Sequence, residues 1–306
     1  MITTMKSLKQ RCEEENKELW QLALEDEIEN TGKSEEEIWD RLQRTLDVMK
    51  NSAKAALETE VYSVTGMTGG NAKTMHDYFL KGESVLGEIP SIAMAMALST
   101  SEINAAMGII AAAPTAGSSG ILPATLMTMR YKYKTSDEDL KKALLVASIV
   151  GQVIFDNATF AGAEGGCQAE TGSAAAMAAA AVCFLRGYDI KIQENAATAA
   201  ILNILGLVCD PIGGMVEFPC NIRNANGVMN TLASADMAMA GVRMVVTFDE
   251  AVDALKRVGD ALPAALRETG EGGIAVCPSA LKLKAKYIDG KSVSYTHLTL
   301  PTTERV

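Results

Sequence analysis

The sequence predicts an all-α fold, a compact multi-helix domain built from buried helices rich in Ala, Gly and Met. Three observations support this prediction. Apolar residues recur at helical spacing in most segments, no stretch alternates apolar and polar residues as a strand does, and only 5% of the 306 residues are aromatic. Small side chains let helices approach closely, so we expect tight helix packing rather than large aromatic clusters.

The first predicted unit is an N-terminal helical arm over residues 1–60. Clusters of Glu and Lys indicate a solvated surface helix in its first half. Ser34 then fits an N-cap, with Glu37 three residues later at the capping-box spacing, and apolar residues follow at helical spacing. We therefore expect a pair of scaffold helices here, or an arm that docks a partner.

The second predicted unit, residues 61–290, is expected to bind a cluster and a substrate. Its loops should converge on one site between buried helices. We expect those helices over residues 89–113, 136–155, 168–185, 193–208, 221–246 and 248–258. The last residues, 291–306, have neither helical periodicity nor a motif, so we predict a non-native or disordered tail.

Charge and composition exclude several classes of function. The net charge is −10, and no basic patch or stripe is present, which argues against nucleic-acid binding. The longest uncharged stretch, residues 103–129, is interrupted by Pro and Gly residues in its middle, so we expect no membrane span. The sequence shows no signal peptide, and we expect a cytoplasmic protein whose six cysteines are not paired in disulfides.

A glycine-rich loop interrupts the helical pattern at residues 64–73. Gly69 and Gly70 permit positive φ angles and exposed backbone N–H groups. Such a loop either holds a carboxylate or is a simple turn. Lys73, the last residue of this loop, and His76 are the two candidates for catalysis, with a surface lysine and a structural histidine as the alternatives.

A second polar loop, residues 113–123, lies between apolar helical segments. Two prolines flank Gly117 and three hydroxyl residues, which are Thr115, Ser118 and Ser119. Because a buried loop must satisfy its backbone polar groups, these hydroxyls either do that or bind a small anion.

Three cysteines stand at the edges of helical patterns, beside Gly, Pro or acidic residues. Cys167 and Cys209 are 42 positions apart, and Cys220 follows 11 positions later with no histidine nearby. Structural zinc usually shows close cysteine pairs, so zinc fits this spacing poorly. A [4Fe–4S] cluster that leaves one iron open fits it better, and inert core thiols are the alternative.

Polar residues around these cysteines are further candidates. Arg223 has the planar donors that suit a substrate carboxylate, or it forms a salt bridge with Glu217 or Asp210. Cys277 lies in a loop near the end of the predicted fold and is a candidate fourth, displaceable ligand.

Six motifs together resemble the α chain of the iron–sulfur-dependent L-serine dehydratases, over roughly residues 5–285. They are GMTGG (66–70), SEIN (101–104), APTAGSSGILP (113–123), EGGCQAE (164–170), CDPIGG (209–214) and VEFPCNIRNANG (216–227). The combination is specific, whereas each motif alone is not.

The resemblance implies that Cys167, Cys209 and Cys220 hold a [4Fe–4S] cluster with one open iron. It implies β-elimination of water from L-serine, giving pyruvate and ammonia, by an all-helical α chain that works with a separate β chain in a hetero-oligomer. The expected substrate-binding residues are Gly69, Gly70, Thr115, Gly117, Ser118, Ser119, Arg223 and Asn224.

Two expectations from the family are less direct. The histidine-bearing motif of the β-type part is absent from this chain, so the partner is a candidate source of the general base. In single-chain relatives a cysteine at the chain's end can cap the open iron, and Cys277 lies near but outside that motif. The competing functions are a cluster-dependent L-cysteine desulfidase and a non-catalytic iron–sulfur scaffold subunit.

Overall fold

The computed structural model describes residues 3–289, so the predicted tail lies outside the described residues. Within them the chain forms α-helices and no β-strand, which confirms the all-α prediction. The helices in the described range are α1 (Met5–Glu15), α2 (Leu19–Thr31), α3 (Glu35–Ala55), α4 (Asn71–Lys81), α5 (Glu88–Ala105), α6 (Ile121–Tyr133), α7 (Asp137–Asn157), α8 (Gly162–Gly165), α9 (Ser173–Leu185), α10 (Ile190–Leu202), α11 (Cys220–Met239), α12 (Phe248–Ala261) and α13 (Pro278–Tyr287).

Several helices begin where the sequence supplies a cap. At the start of α3, Ser34 Oγ accepts a hydrogen bond from Glu37 N, and Ser34 N donates to Glu37 Oε2 at 2.8 Å. The predicted capping box is therefore confirmed. Ser136 caps α7 in the same way, accepting from Asp139 N at 3.1 Å. Each such bond satisfies a backbone N–H that the helix itself leaves free.

Helix α9 lies at the centre of the molecule. It packs against α6, α7, α10 and α11, and every residue from Ser173 to Cys183 is buried. Most of these residues are alanines, whose small side chains let neighbouring helix backbones come close. The surrounding core is continuous and reaches from Leu8 in α1 to Leu255 in α12. The division of the chain near residue 60 stays a prediction, since the same core extends across it.

Several helical segments differ from expectation at their ends. Helices α10 and α11 end at Leu202 and Met239 rather than near residues 208 and 246. Helix α5 stops at Ala105 rather than near residue 113, because Met107 adopts a left-handed φ of 62° that ends the helix. Residues 168–172 form a π-helical turn before α9 rather than its first α turn. None of the helices within residues 3–289 combines the length and hydropathy that a membrane crossing requires.

Candidate active site around three buried cysteines

The loops at one end of the helix bundle carry the three predicted cluster cysteines. Cys167 precedes the π turn, Cys209 lies in the segment after α10, and Cys220 is the first residue of α11. All three are buried and none is in a disulfide. The thiols of Cys167 and Cys209 are close enough for each to shift the pKa of the other, and a charge on Cys167 also acts on the pKa of Cys220.

The pKa values of the three thiols are shifted in different directions. The hydrogen bond from Cys209 and the positive charge of Arg223 lower the pKa of Cys167 to about 7. The same hydrogen bond and burial raise the pKa of Cys209, and burial raises that of Cys220. A thiolate is the form of cysteine that binds a metal, so Cys167 is the thiol best prepared to become a ligand.

Arg223 is held by the segment that carries Cys209. Its Nη2 donates to Asp210 Oδ1 at 2.7 Å, and its Nη1 donates to the Val208 carbonyl oxygen at 2.9 Å. Burial opposes a charge here, but Cys167 and Asp210 outweigh it and raise the pKa of Arg223. Of the alternatives from sequence, the salt bridge to Asp210 is the contact observed.

The hydroxyls of the second polar loop bind within the protein. Thr115 Oγ1 donates to Glu170 Oε1 at 2.8 Å and lies 3.1 Å from Ser118 Oγ. Ser119 Oγ donates to the Ala116 carbonyl oxygen at 2.8 Å. A Cβ atom on Gly117 would lie 2.9 Å from Glu170 Oε1, so the loop and this carboxyl group are closely packed.

Glu170 is a buried carboxyl group between the second polar loop and the cysteines. Burial and the negative charge of Cys167 raise the pKa of Glu170 to about 8, although the hydrogen bond from Thr115 opposes the rise. A carboxyl group of this kind exchanges its proton near neutral pH, which is unusual for Glu.

Asn224 fastens the second polar loop to α11. Its Nδ2 donates to the carbonyl oxygens of Gly117 at 2.7 Å and Cys220 at 2.8 Å, and its Oδ1 accepts from Gly120 N at 2.8 Å. The side chain therefore joins a predicted substrate-binding loop to a predicted ligand cysteine.

Two buried carboxyl groups, Glu102 and Glu217, hold the glycine loop in the same region; both lie in the quoted motifs, but neither was predicted as a site residue. Glu217 accepts from Thr65 Oγ1 at 2.9 Å and from Thr68 Oγ1 at 3.1 Å. Glu102 accepts from the backbone N of Asn71 at 2.6 Å, at the start of α4. The signal available in the sequence was a charged residue, Glu102, inside an otherwise apolar helix.

Comparison with known proteins identifies the family. The family model described as "Serine dehydratase alpha chain" matches residues 14–275, which is most of the chain. The chain belongs to the serine dehydratase alpha chain family. This confirms the resemblance that the motifs indicated.

Individual relatives give the extent of this similarity. The chain is 46% identical over 288 residues to the "L-serine dehydratase, alpha chain" of Peptoniphilus asaccharolyticus, covering 94% of this chain and 99% of the relative. It is 40% identical over 290 residues to the "Probable L-serine dehydratase, alpha chain" of Bacillus subtilis (strain 168), covering 95% and 96%. It is 39% identical over 186 residues to the "L-serine dehydratase" of Mycobacterium tuberculosis, covering 59% of this chain and 40% of that longer relative.

The two catalytic candidates from sequence, Lys73 and His76, are engaged in contacts with residues other than the three cysteines. Lys73 forms an ion pair with Asp77 at 2.5 Å, and that hydrogen bond raises the pKa of the lysine, which disfavours the neutral amine a base requires. His76 Nδ1 lies 3.0 Å from the Leu57 carbonyl oxygen, and the ring stacks on Phe79. It lines a groove of about 510 Å³ whose walls include none of the three cysteines. Their catalytic roles stay predictions.

Cys277 is exposed at the start of α13. The segment before it is anchored beside the site, because Ile274 N donates to Asp210 Oδ2 at 2.8 Å. A Cβ atom on Gly273 would collide with Asp210, so the backbone passes close to that side chain. A role for Cys277 as a fourth ligand stays a prediction.

Proposed function

We propose that this chain is the α chain of an L-serine dehydratase, which eliminates water from L-serine and yields pyruvate and ammonia. The proposal is carried by sequence similarity to a relative named as the alpha chain of that enzyme. The two chains are 46% identical over 99% of the relative's length. We further propose that the chain acts in a hetero-oligomer with a β chain. A cytoplasmic location stays a prediction.

We propose that Cys167, Cys209 and Cys220 hold a [4Fe–4S] cluster. Three buried thiols without histidine are a donor set that suits iron–sulfur chemistry, and Arg223 favours the thiolate on Cys167. Within residues 3–289 no group of His, Cys, Asp or Glu is arranged around a single metal ion. The three cysteines lack the close pairs that structural zinc usually shows, so a cluster suits this donor set better than zinc. When bound, it would supply a Lewis acid at its open iron for the substrate hydroxyl.

The surrounding residues would bind and orient the substrate. We propose that Thr115, Ser118 and Ser119, together with the backbone at Gly117, face the carboxylate or amino group of serine, with the loop of Gly69 and Gly70 nearby. Asn224 would hold the second polar loop beside Cys220, because its side chain donates hydrogen bonds to the carbonyl oxygens of Gly117 and Cys220. Arg223 has both guanidinium arms engaged, so its proposed role is to hold the Cys209 segment and its own charge beside Cys167.

The general base is proposed to come from the β chain. Removal of the α-proton requires a group with an accessible neutral or anionic form within hydrogen-bond reach. Lys73 is committed to Asp77, and His76 lines a separate groove, so neither meets this requirement in its present position.

An anaerobic purification of the α and β chains together tests the proposal. We expect iron, acid-labile sulfide and pyruvate formation from L-serine. Cys209→Ala should lose all three. Cys183→Ala is the matched control, because Cys183 is buried in α9 and burial raises the pKa of its thiol to about 12, so it should keep all three.

Different failures of this experiment have different meanings. Protein that contains neither iron nor sulfide would refute the cluster. Protein that holds the cluster but releases sulfide from L-cysteine, and no pyruvate from L-serine, would refute the substrate and favour the desulfidase. A cluster without either activity would favour the scaffold subunit.

A further inference from the structure

Four large apolar side chains are exposed on two neighbouring segments. Tyr62 is 57% exposed, Val64 and Met107 are each 48% exposed, and Ile109 is 79% exposed. The segments are joined because Val64 N donates to the Ala105 carbonyl oxygen at 3.0 Å. We call these four residues the apolar rim. Single exposed apolar residues are ordinary on proteins, whereas a group of them indicates an interaction surface.

The apolar rim borders the candidate active site. On one side, Thr65 donates to Glu217, three positions before Cys220. On the other side, Asn104 Nδ2 donates to the Ala116 carbonyl oxygen at 3.4 Å, next to Gly117. A partner seated on the rim would therefore contact the two loops that carry the proposed substrate-binding residues.

Met107 occupies a backbone position that favours glycine. Gly108 N donates to the Ile103 carbonyl oxygen at 2.8 Å, and Met107 N donates to that of Asn104 at 3.0 Å. This is a Schellman ending of α5, and Met107, with φ of 62°, stands where glycine is usual. A left-handed conformation strains any side chain with a Cβ atom, and the exposed half of Met107 gains little from folding. A flexible methionine is well suited to a contact surface.

The charges around the rim indicate the chemistry of its partner. Residues 103–129 contain no charged side chain. Tyr62 is bonded to an acidic residue, since its hydroxyl donates to the exposed Glu60 at 2.9 Å. A complementary surface would be apolar at its centre and basic beside Tyr62.

We propose that the apolar rim is the docking surface for the β chain, and that the matching β-chain surface is apolar with Lys or Arg at the edge that meets Glu60. The proposal rests on the proposed function for the existence of that partner. The choice of occupant follows from the rim's position, because a chain that supplies a base to serine must reach the loops around Gly69 and Gly117.

Binding of the purified β chain to the purified, cluster-containing α chain tests the proposal. Ile109→Asp should weaken binding at least tenfold, because it places a charge in an apolar contact. Val245→Asp is the matched control, since Val245 is fully exposed at 100% and lies outside the rim, and its affinity should equal that of the wild type. Iron and sulfide content should be unchanged in both variants.

Met107→Gly separates a docking role from a structural one. Glycine suits the left-handed position, so the thermal midpoint of the α chain should stay the same or rise while its affinity for the β chain falls several-fold. A residue with only a structural role would change stability and binding in the same direction.

The outcomes distinguish this inference from the proposed function. Rim variants that bind the β chain as tightly as the wild type would overturn the docking surface. So would a wild-type α chain that does not bind the β chain, or a rim that joins two α chains instead. If the pair binds through the rim but forms no pyruvate, the proposed function fails and the docking surface stands. If pyruvate forms at the wild-type rate in rim variants with limiting β chain, the docking surface fails and the function stands.

Discussion

At the scale of single residues, buried carboxyl groups hold the candidate site together. Glu217, Glu102 and Glu170 each accept hydrogen bonds from a different loop or helix start, and each is buried. A buried carboxylate is costly unless donors surround it, so each of these contacts fixes the loop that supplies the donors. The site is therefore organised by acids that receive hydrogen bonds from hydroxyl and backbone groups.

Thr65→Val tests this organisation at one residue. The change removes a hydroxyl that donates to buried Glu217, and we expect a loss of about 1–3 kcal/mol in the free energy of unfolding, with a lower rate of pyruvate formation. Chemical denaturation and an activity assay measure the two effects. Thr128→Val is the control, because Thr128 is equally buried but donates to a carbonyl of its own helix, at Ala124. Equal effects of both changes would contradict the special role of the Glu217 contact.

Glu102 predicts a dependence of stability on pH. Burial raises its pKa, and the hydrogen bonds from Asn71 and Ala72 oppose that rise without cancelling it. An unfolded Glu titrates near ~4.3, so the folded state binds this proton more tightly. The stabilising contribution is therefore fully present below that pH and is lost as the pH rises through the folded-state pKa.

The corresponding variant is Glu102→Gln. The difference in free energy of unfolding between the variant and the wild type should disfavour the variant more at about pH 4.5 than at about pH 8. Urea denaturation followed by circular dichroism measures this difference at each pH. Glu29→Gln, at an exposed position of α2, is the control and should show little change with pH. A difference for Glu102→Gln that stays constant between the two pH values would contradict the raised pKa.

At the scale of elements, the glycine loop is determined by close backbone contact. Gly69 has a φ of 152°, and a Cβ atom there would lie 2.5 Å from the Val61 carbonyl oxygen and 2.6 Å from Tyr62 Cα. Backbone atoms cannot move aside as a flexible side chain can. The loop therefore requires glycine at this position for steric reasons, in addition to any role in binding.

Gly69→Ala should consequently cost about 3 kcal/mol of stability, from backbone strain and overpacking together, and should abolish pyruvate formation. Gly82→Ala is the control, since Gly82 also has a positive φ of 69° but has nothing within 4 Å of a Cβ atom. Its cost should be about 1 kcal/mol, with activity retained. Thermal unfolding and turnover of both variants decide the matter, and similar losses in the two would refute the steric argument.

The π turn before α9 shows how distant contacts change an element. The sequence predicted an α-helix from residue 168, yet residues 168–172 form a π-helical turn. The Gln168 side chain donates to the Leu255 carbonyl oxygen at 3.1 Å and accepts from Gly206 N at 2.9 Å. These partners come from other elements, so local periodicity could not reveal the turn. Such turns are often found at functional sites, and this one follows Cys167 directly.

At the scale of the whole molecule, the N-terminal helices share the central core. Leu8 of α1 is fully buried in the same core as Leu255 of α12. Met5 N also donates to Asp249 Oδ1 at 2.7 Å, which ties the start of α1 to α12. These contacts indicate that the first sixty residues unfold together with the rest of the chain.

Leu8→Ala should therefore lower the global stability by about 2–5 kcal/mol and leave a single unfolding transition. Leu80→Ala, at an exposed position of α4, is the control and should change stability by less than about 0.5 kcal/mol. Denaturation followed by circular dichroism and by tryptophan fluorescence provides the measurement. Two separate transitions in the Leu8 variant would instead favour an independent N-terminal arm.

The sequence by itself determined the features that depend on neighbouring residues. The helical class, the cap at Ser34 and the motifs around Cys167, Cys209 and Cys220 all follow from local spacing and residue type. Capping and helical periodicity involve residues only three or four positions apart, so one stretch of sequence contains the whole signal.

Only the tertiary structure decided how these features face one another. Thr65 meets Glu217 across 152 positions, and Thr115 meets Glu170 across 55. From sequence the salt-bridge partner of Arg223 was either Glu217 or Asp210, and packing placed Asp210 against it. Such contacts depend on which helices pack together, and packing depends on the summed burial of many side chains rather than on any single motif.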